Sequence, residues 1–166
     1  MVIIVMGVSG SGKSTIAIKL ADRLNFPYFD ADDYHSKKNI EKMASGHPLN
    51  DHDRRPWLEE LAKQIAHWEK QEGAVLACSA LKESYREILS STLDTVKWVY
   101  LDGSYDLILD RISDRKNHFM KAEMLKSQFD ALEVPEYGLH VDIAPSIEEI
   151  VDVVVNKLST PKHLNK

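Results

Sequence analysis

A run of five apolar residues, VIIVM, passes directly into Gly7-Val-Ser-Gly-Ser-Gly-Lys-Ser-Thr15. This stretch limits the possible folds most tightly. The spacing G-x-x-x-x-G-K-[ST] is met by Gly7, Gly12, Lys13 and Ser14. Gly10 and Gly12 let the backbone turn sharply enough for successive N–H groups to face an anion. Lys13 opens a helix whose positive end faces the same point, so its ammonium can bridge β- and γ-phosphates while the Ser14 hydroxyl completes a Mg²⁺ shell. Such a loop needs a strand before it and a helix behind it, and Ile16, Leu20 and Leu24 supply the apolar stripe of that helix. A glycine-rich turn with a chance lysine would need neither flank. The reading is a nucleoside triphosphate site held by Gly7, Gly10, Ser11, Gly12, Lys13, Ser14 and Thr15.

Further apolar runs, FPYFDADD, AVLAC, VKWVYL and LHVDI, each precede a stretch of 3.6-residue period. That alternation predicts an α/β chain with a parallel sheet. A helix beginning near Pro56 places Leu58, Leu61, Ile65 and Trp68 on one face and ends at Gly73, and a last helix begins at Ser146 with Glu149 as its capping partner. The 166 residues, 43% of them apolar, suit one domain over 1–166. Right-handed crossovers bring the carboxyl ends of all strands to one edge, where ligands bind. Two polar segments exceed simple connections. They are a substrate-binding insertion at about 34–56 and a lid at about 111–121.

The net charge of -5 disfavours a nonspecific hold on nucleic acid. The single cysteine, Cys78, excludes an internal disulfide framework or a cysteine-rich metal site and reads as a small buried apolar residue at a strand end. No basic region precedes the first strand, and no apolar run is long enough for a membrane helix. A cytoplasmic protein acting on small molecules is expected.

Chemistry is therefore sought just after the strands. Strand alternation points Asp30 and Asp32 to one side, where one carboxylate could accept the proton of an attacking hydroxyl and one could hold Mg²⁺ through water. The same carboxylates could instead cap the next turn. Function is preferred for Asp32, Asp33 stays open, and His35 is a candidate substrate contact by its nearness. Arg54 could fork onto a carboxylate or sit idle on the surface. Lys82 and Arg86 stand four apart on a starting helix, so they are two cations at the ligand edge or a solvated face. Arg111 and Arg115 could serve adenine and the transferred phosphoryl group, or pair with Asp110 and Asp114. The histidines show no metal-ligand spacing, which leaves Mg²⁺ accompanying ATP as the expected metal.

Taken together, GVSGSGKST, DADDYHS, NIEKMASGHPLNDHDRRPWL, CSALKESYR, RISDRKNHFM and LKSQFDALEVP resemble the gluconate kinases among the P-loop small-molecule kinases. The resemblance covers nearly the whole chain. It implies a P-loop kinase fold with a five-stranded parallel sheet in order 2-3-1-4-5, flanked by helices and carrying a lid, and transfer of phosphate from ATP to D-gluconate. By the same resemblance Lys13 and Asp32 are catalytic, Ser14 and Asp32 attend the metal, and Gly10 to Thr15 with Arg111 and Arg115 bind ATP. Asp32, Arg54, Lys82 and Arg86 then meet gluconate, with His35 and His118 as further candidate contacts from their positions in the chain, and a homodimer is expected. The rival readings are a shikimate- or nucleoside monophosphate-type kinase and a non-catalytic ATP-sensing module. A sensor that hydrolyses ATP would be expected to end strand three in an aspartate, whereas this strand ends in Cys78-Ser79.

Overall fold

The computed structural model describes residues 1–113 and 118–160. The first apolar run forms strand β1 (Val2–Met6), every residue of it buried, followed by helix α1 (Lys13–Leu24). Strand β2 (Tyr28–Asp30) leads through a 3-10 turn at Ala31–Tyr34 into α2 (Lys37–Ala44) and α3 (Asp51–Lys70). Strand β3 (Ala74–Ala77) precedes α4 (Glu83–Leu89), and β4 (Lys97–Asp102) precedes α5 (Tyr105–Ile112) and α6 (His118–Ala131). Strand β5 (Leu139–Asp142) and α7 (Ile147–Ser159) complete the order.

The strands form one parallel sheet in the order β2-β3-β1-β4-β5, as the resemblance implied. The two-residue period of β1 divides the core. Ile3 and Val5 pack towards α1 and α7, whereas Val2, Ile4 and Met6 pack towards Leu58, Leu61, Ile65 and Trp68 of α3. Each fully buried Leu or Ile of that α3 stripe contributes roughly 2 kcal/mol by leaving water. Trp68 also stacks on Phe29 of β2, with ring centroids 4.2 Å apart, which fixes the short edge strand against α3.

Helix α3 starts at Asp51, five residues before the Pro56 expected to open it. A capping box overrides the proline signal. Asn50 accepts the Asp53 N–H at 2.8 Å, and the Asp53 carboxylate accepts the Asn50 N–H at 3.0 Å. Pro56 then lies inside the helix, where it removes one backbone hydrogen bond. The early start has a functional consequence, because it puts Asp51 and Arg54 on the first helical turn. Registers such as Val5 beside Ala77, Met6 beside Tyr100 and Asp102 beside Asp142 bring the strands' carboxyl ends to one edge. The loop after β1, the acids after β2 and the Cys78-to-Lys82 loop meet there.

Candidate active site

The loop after β1 is a closed turn with its donors gathered at one end. Ser11 gives both its N–H, at 3.2 Å, and its hydroxyl, at 2.7 Å, to the Val8 carbonyl, and the Lys13 ammonium folds back to the same oxygen at 3.0 Å. Gly12 caps α1 with φ of 93°, a left-handed backbone that favours glycine. At Gly10, with φ of +81°, a Cβ would come within 2.3 Å of the Ile112 side chain, so α5 presses directly on the loop. Ser14 and Thr15 are exposed. Burial holds the Lys13 ammonium below the ordinary lysine range, opposed by Cys78, Asp32 and Asp30. Cys78 is buried and desolvation pushes its thiol up to about 12, so it is inert.

Asp30 and Asp32 do not share a strand face. Strand β2 ends at Asp30, whose carboxylate accepts the Asp32 N–H at 2.9 Å, so Asp30 caps the turn and the turn presents Asp32. Asp32 opens into the cleft with its side chain 84% exposed. The surrounding protein and then the Asp30 charge raise its proton affinity, while His35 and Lys13 pull it down. The His35 Nε2 lies 3.8 Å from Asp32 Oδ1, its ring stacks on Trp57 at 4.2 Å, and its Nδ1 is buried without a hydrogen-bond partner. Burial lowers the His35 pKa, so the ring tends to be neutral. Trp57 in turn donates to the Ala31 carbonyl at 2.7 Å, tying α3 to the turn that bears Asp32.

Ser14, Asp30 and Asp32 offer hard oxygen donors, and the Tyr28 hydroxyl donates to the Asp30 carboxylate at 3.4 Å. That chemistry fits Mg²⁺. Among the described residues no group of three or more His, Cys, Asp or Glu could hold a metal, so phosphate oxygens would have to complete the shell.

The cations divide. Arg54 and Lys82 come together around Tyr85, each 5.6 Å from its ring centroid, and Arg54 also donates to the Tyr85 hydroxyl at 3.2 Å. Arg86 does not join them. It is 1% exposed and spends its N–H groups inside the protein, on Glu83 and Tyr137 through Nε, Ala80 and Leu81 carbonyls through Nη1, and Glu83 and the Glu133 carbonyl through Nη2. Ala80, one of those acceptors, has φ of 45°, a strained value for a residue with a Cβ. Arg86 therefore clasps the loop that presents Lys82, and no donor is left for a substrate carboxylate. Helical spacing placed Lys82 and Arg86 on one face, but Lys82 is the N-cap of α4, outside its first turn.

Arg111, in the last turn of α5, donates to the Ile143 carbonyl at 2.7 Å, beyond the end of β5. Arg115 lies outside the described residues, with the rest of 114–117 in the expected lid, and so does the His118 side chain. Sequence reasoning missed Asp51, Tyr85 and Gln128. Asp51 stands three residues before Arg54 and Tyr85 three after Lys82, spacings that could have drawn them in. Nothing in the chain signals that Gln128 of α6 accepts the Ser9 N–H of the phosphate loop at 2.7 Å.

A phosphate loop opening a helix, an aspartate beside it and a pair of cations on the same sheet edge define a P-loop small-molecule kinase. The family model described as shikimate kinase matches residues 9–158. The thermosensitive gluconokinase of Escherichia coli strain K12 is 48% identical over 154 residues, 90% of this chain and 82% of the relative. A probable gluconokinase of Dictyostelium discoideum is 42% identical, over 95% of this chain and 86% of the relative. The crystal structure of a gluconokinase from Sinorhizobium meliloti 1021 superimposes with a TM-score of 0.84 at 38% identity, covering 95% of this chain and 90% of that one. The shikimate kinase of Aquifex aeolicus shares the fold alone, with a TM-score of 0.58 at 19% identity. The chain belongs to the gluconokinases, within the shikimate kinase-like P-loop kinases.

Proposed function

We propose that this chain transfers the γ-phosphoryl group of ATP to the 6-hydroxyl of D-gluconate, giving 6-phosphogluconate and ADP. The observation that carries the reading is the pairing of Arg54 and Lys82 around Tyr85, on the edge that also holds the phosphate loop. A sugar acid differs from a neutral hexose by its carboxylate, and these cations are the groups able to read that difference.

In this reading the loop N–H groups and Lys13 hold the β- and γ-phosphates, and Ser14 and Asp32 would hold Mg²⁺ together with the phosphates. Bound there, the metal would neutralise charge on the phosphate oxygens. Asp32 orients the acceptor hydroxyl and takes its proton late, since phosphoryl transfer of this kind asks for positioning more than for strong basicity. His35 steadies Asp32, with its ring packed on Trp57. Arg111 is assigned to the adenine side of the nucleotide, with Arg115 and His118 as further contacts from the segment about 111–121 that closes over both ligands. The chain acts as one domain, in the cytoplasm and as a homodimer. No helix among the described residues is long and apolar enough to cross a membrane.

The test is a coupled ADP-release assay of the purified chain with ATP and Mg²⁺ against D-gluconate, D-glucose, shikimate and nucleoside monophosphates. Turnover with gluconate far above the other acceptors is expected. Preferential turnover of shikimate or a nucleotide, or ADP release independent of any acceptor, would overturn the reading.

A further inference from the structure

The cation pair has an occupant. Tyr85 donates its hydroxyl proton to Asp51 Oδ1 at 2.5 Å, and the same oxygen lies 3.5 Å from the Lys82 ammonium and 3.9 Å from Arg54 Nη1. We propose that the Asp51 carboxylate is a built-in competitor for the acceptor's carboxylate, resting between Arg54, Lys82 and Tyr85 in the unliganded chain and swinging aside when the substrate takes its place. This inference rests on the sugar-acid reading above and adds a residue that sets its selectivity.

Three features favour displacement over permanent scaffolding. First, the fit to the cations is loose. Charge-assisted N–H···O bonds close to about 2.7–2.9 Å, whereas the two ion pairs here are 3.5 Å and 3.9 Å and neither is a two-point fork. Second, charge is left over. Two cations face one carboxylate, so the cluster keeps a net positive charge and still attracts an anion. Third, the start of α3 does not depend on Asp51. Its side chain is 64% exposed, while the start of α3 is secured by Asn50 and Asp53, and Asp53 is itself held by Lys42 at 2.6 Å with its side chain only 10% exposed. Two acids of one helical turn are thus treated differently: Asp53 is locked into the cap and Asp51 is lent to the pocket. The hydrogen bond from Tyr85, with Lys82 and Arg54 adding to it, holds the Asp51 pKa below the ordinary aspartate value, so it is an anion throughout the neutral range.

The consequence for selectivity is direct. A sugar acid exchanges one carboxylate for another and keeps the cations paired. A neutral sugar brings no anion, leaves Asp51 in place and meets an occupied pocket. Asp51 thus lowers the affinity for the true acceptor somewhat and keeps out acceptors without a charge.

Calorimetric titration of D-gluconate into the full chain, without ATP, tests this. Asp51→Asn is expected to lower the Kd for gluconate about fivefold, the effect of relieving competition from one exposed ion pair. Asp51→Ser, which also lacks the charge, moves the same way. Asp51→Glu, which keeps a carboxylate, stays close to the unaltered chain. The salt dependence of binding also steepens in the Asn and Ser variants, because two uncompensated cations then meet the ligand. Unchanged or weaker binding in both uncharged variants would overturn the competitor role. Arg54→Ala and Lys82→Ala run alongside separate the two readings. If they weaken gluconate binding while Asp51→Asn also weakens it, Asp51 is a scaffold and only this proposal fails. If they leave gluconate binding unchanged, the sugar-acid reading itself fails.

Discussion

Lys13 carries a charge in a place where the fold disfavours it. Burial lowers its pKa, so the folded chain binds that proton less tightly than the unfolded chain, whose value is near 10.5. At neutral pH the lysine is protonated in both states and the desolvation cost stands in full. Stability gained by shedding the proton appears only as pH rises through the lowered folded pKa towards 10.5. Lys13→Met removes the charge and keeps the length. It is expected to lower kcat by several orders of magnitude while raising Tm at pH 7, measured by coupled assay and by calorimetry; a fall in Tm would mean that the bond to the Val8 carbonyl outweighs desolvation. Asp32 is shifted the opposite way, with its pKa raised by its surroundings and by Asp30. As a proton acceptor it is lost when protonated, so the acid limb of the kcat profile should fall above the ordinary aspartate value of 3.8. Asp32→Asn is predicted to cut kcat by at least about a hundredfold with little change in the KM for ATP. Survival of kcat would pass the role to Asp33 or His35.

Among the elements, the Cys78-to-Lys82 loop and α4 show how neighbouring cations acquire different tasks. Arg86 is buried and supports the carbonyls of Ala80, Leu81 and Glu133, so its removal leaves them without a partner. Arg86→Ala should destabilise the fold by about 3–5 kcal/mol, read from denaturant unfolding. Lys82→Ala, at the half-buried N-cap of α4, should leave Tm nearly unchanged and act on gluconate KM. Equal loss of stability in the two variants would erase the distinction. The phosphate loop depends on α5 in the same concrete way. Gly10→Ala would drive a methyl group to within 2.3 Å of Ile112. ATP binding, followed by calorimetry, should weaken markedly in that variant, and Ile112→Ala in the same chain should recover part of it. Failure of this rescue would show that the backbone conformation of Gly10, and not the space beside it, is what matters.

At the scale of the molecule, what could be read in the chain was whatever depends on local periodicity. The alternation of apolar runs and amphipathic stretches anticipated the parallel sheet, and the stripe of Leu58, Leu61, Ile65 and Trp68 is buried as expected. Strand order came from the family resemblance, since periodicity does not say which strands are neighbours. The misplacements have physical causes. Pro56 looked like a helix start because Pro is favoured in a first turn, yet the Asn50–Asp53 box satisfies more of the exposed N–H groups and wins. Alternation was carried from Asp30 to Asp32 across the point where the strand gives way to a 3-10 turn. Spacing alone made Lys82 and Arg86 equivalent, because burial is decided by Glu133 and Tyr137, far along the chain.

A pocket of cations on the phosphate-loop edge is proposed to select a carboxylate-bearing acceptor. The most direct measurement is kcat/KM for D-gluconate and for D-glucose in the unaltered chain and in Arg54→Ala and Lys82→Ala. Gluconate should be strongly preferred, and each substitution should raise its KM by at least about tenfold, equivalent to about 1.4 kcal/mol, with the KM for ATP little changed and the poor turnover of glucose unaffected. Wild-type gluconate KM in both variants, or glucose turned over as well as gluconate, would contradict the account.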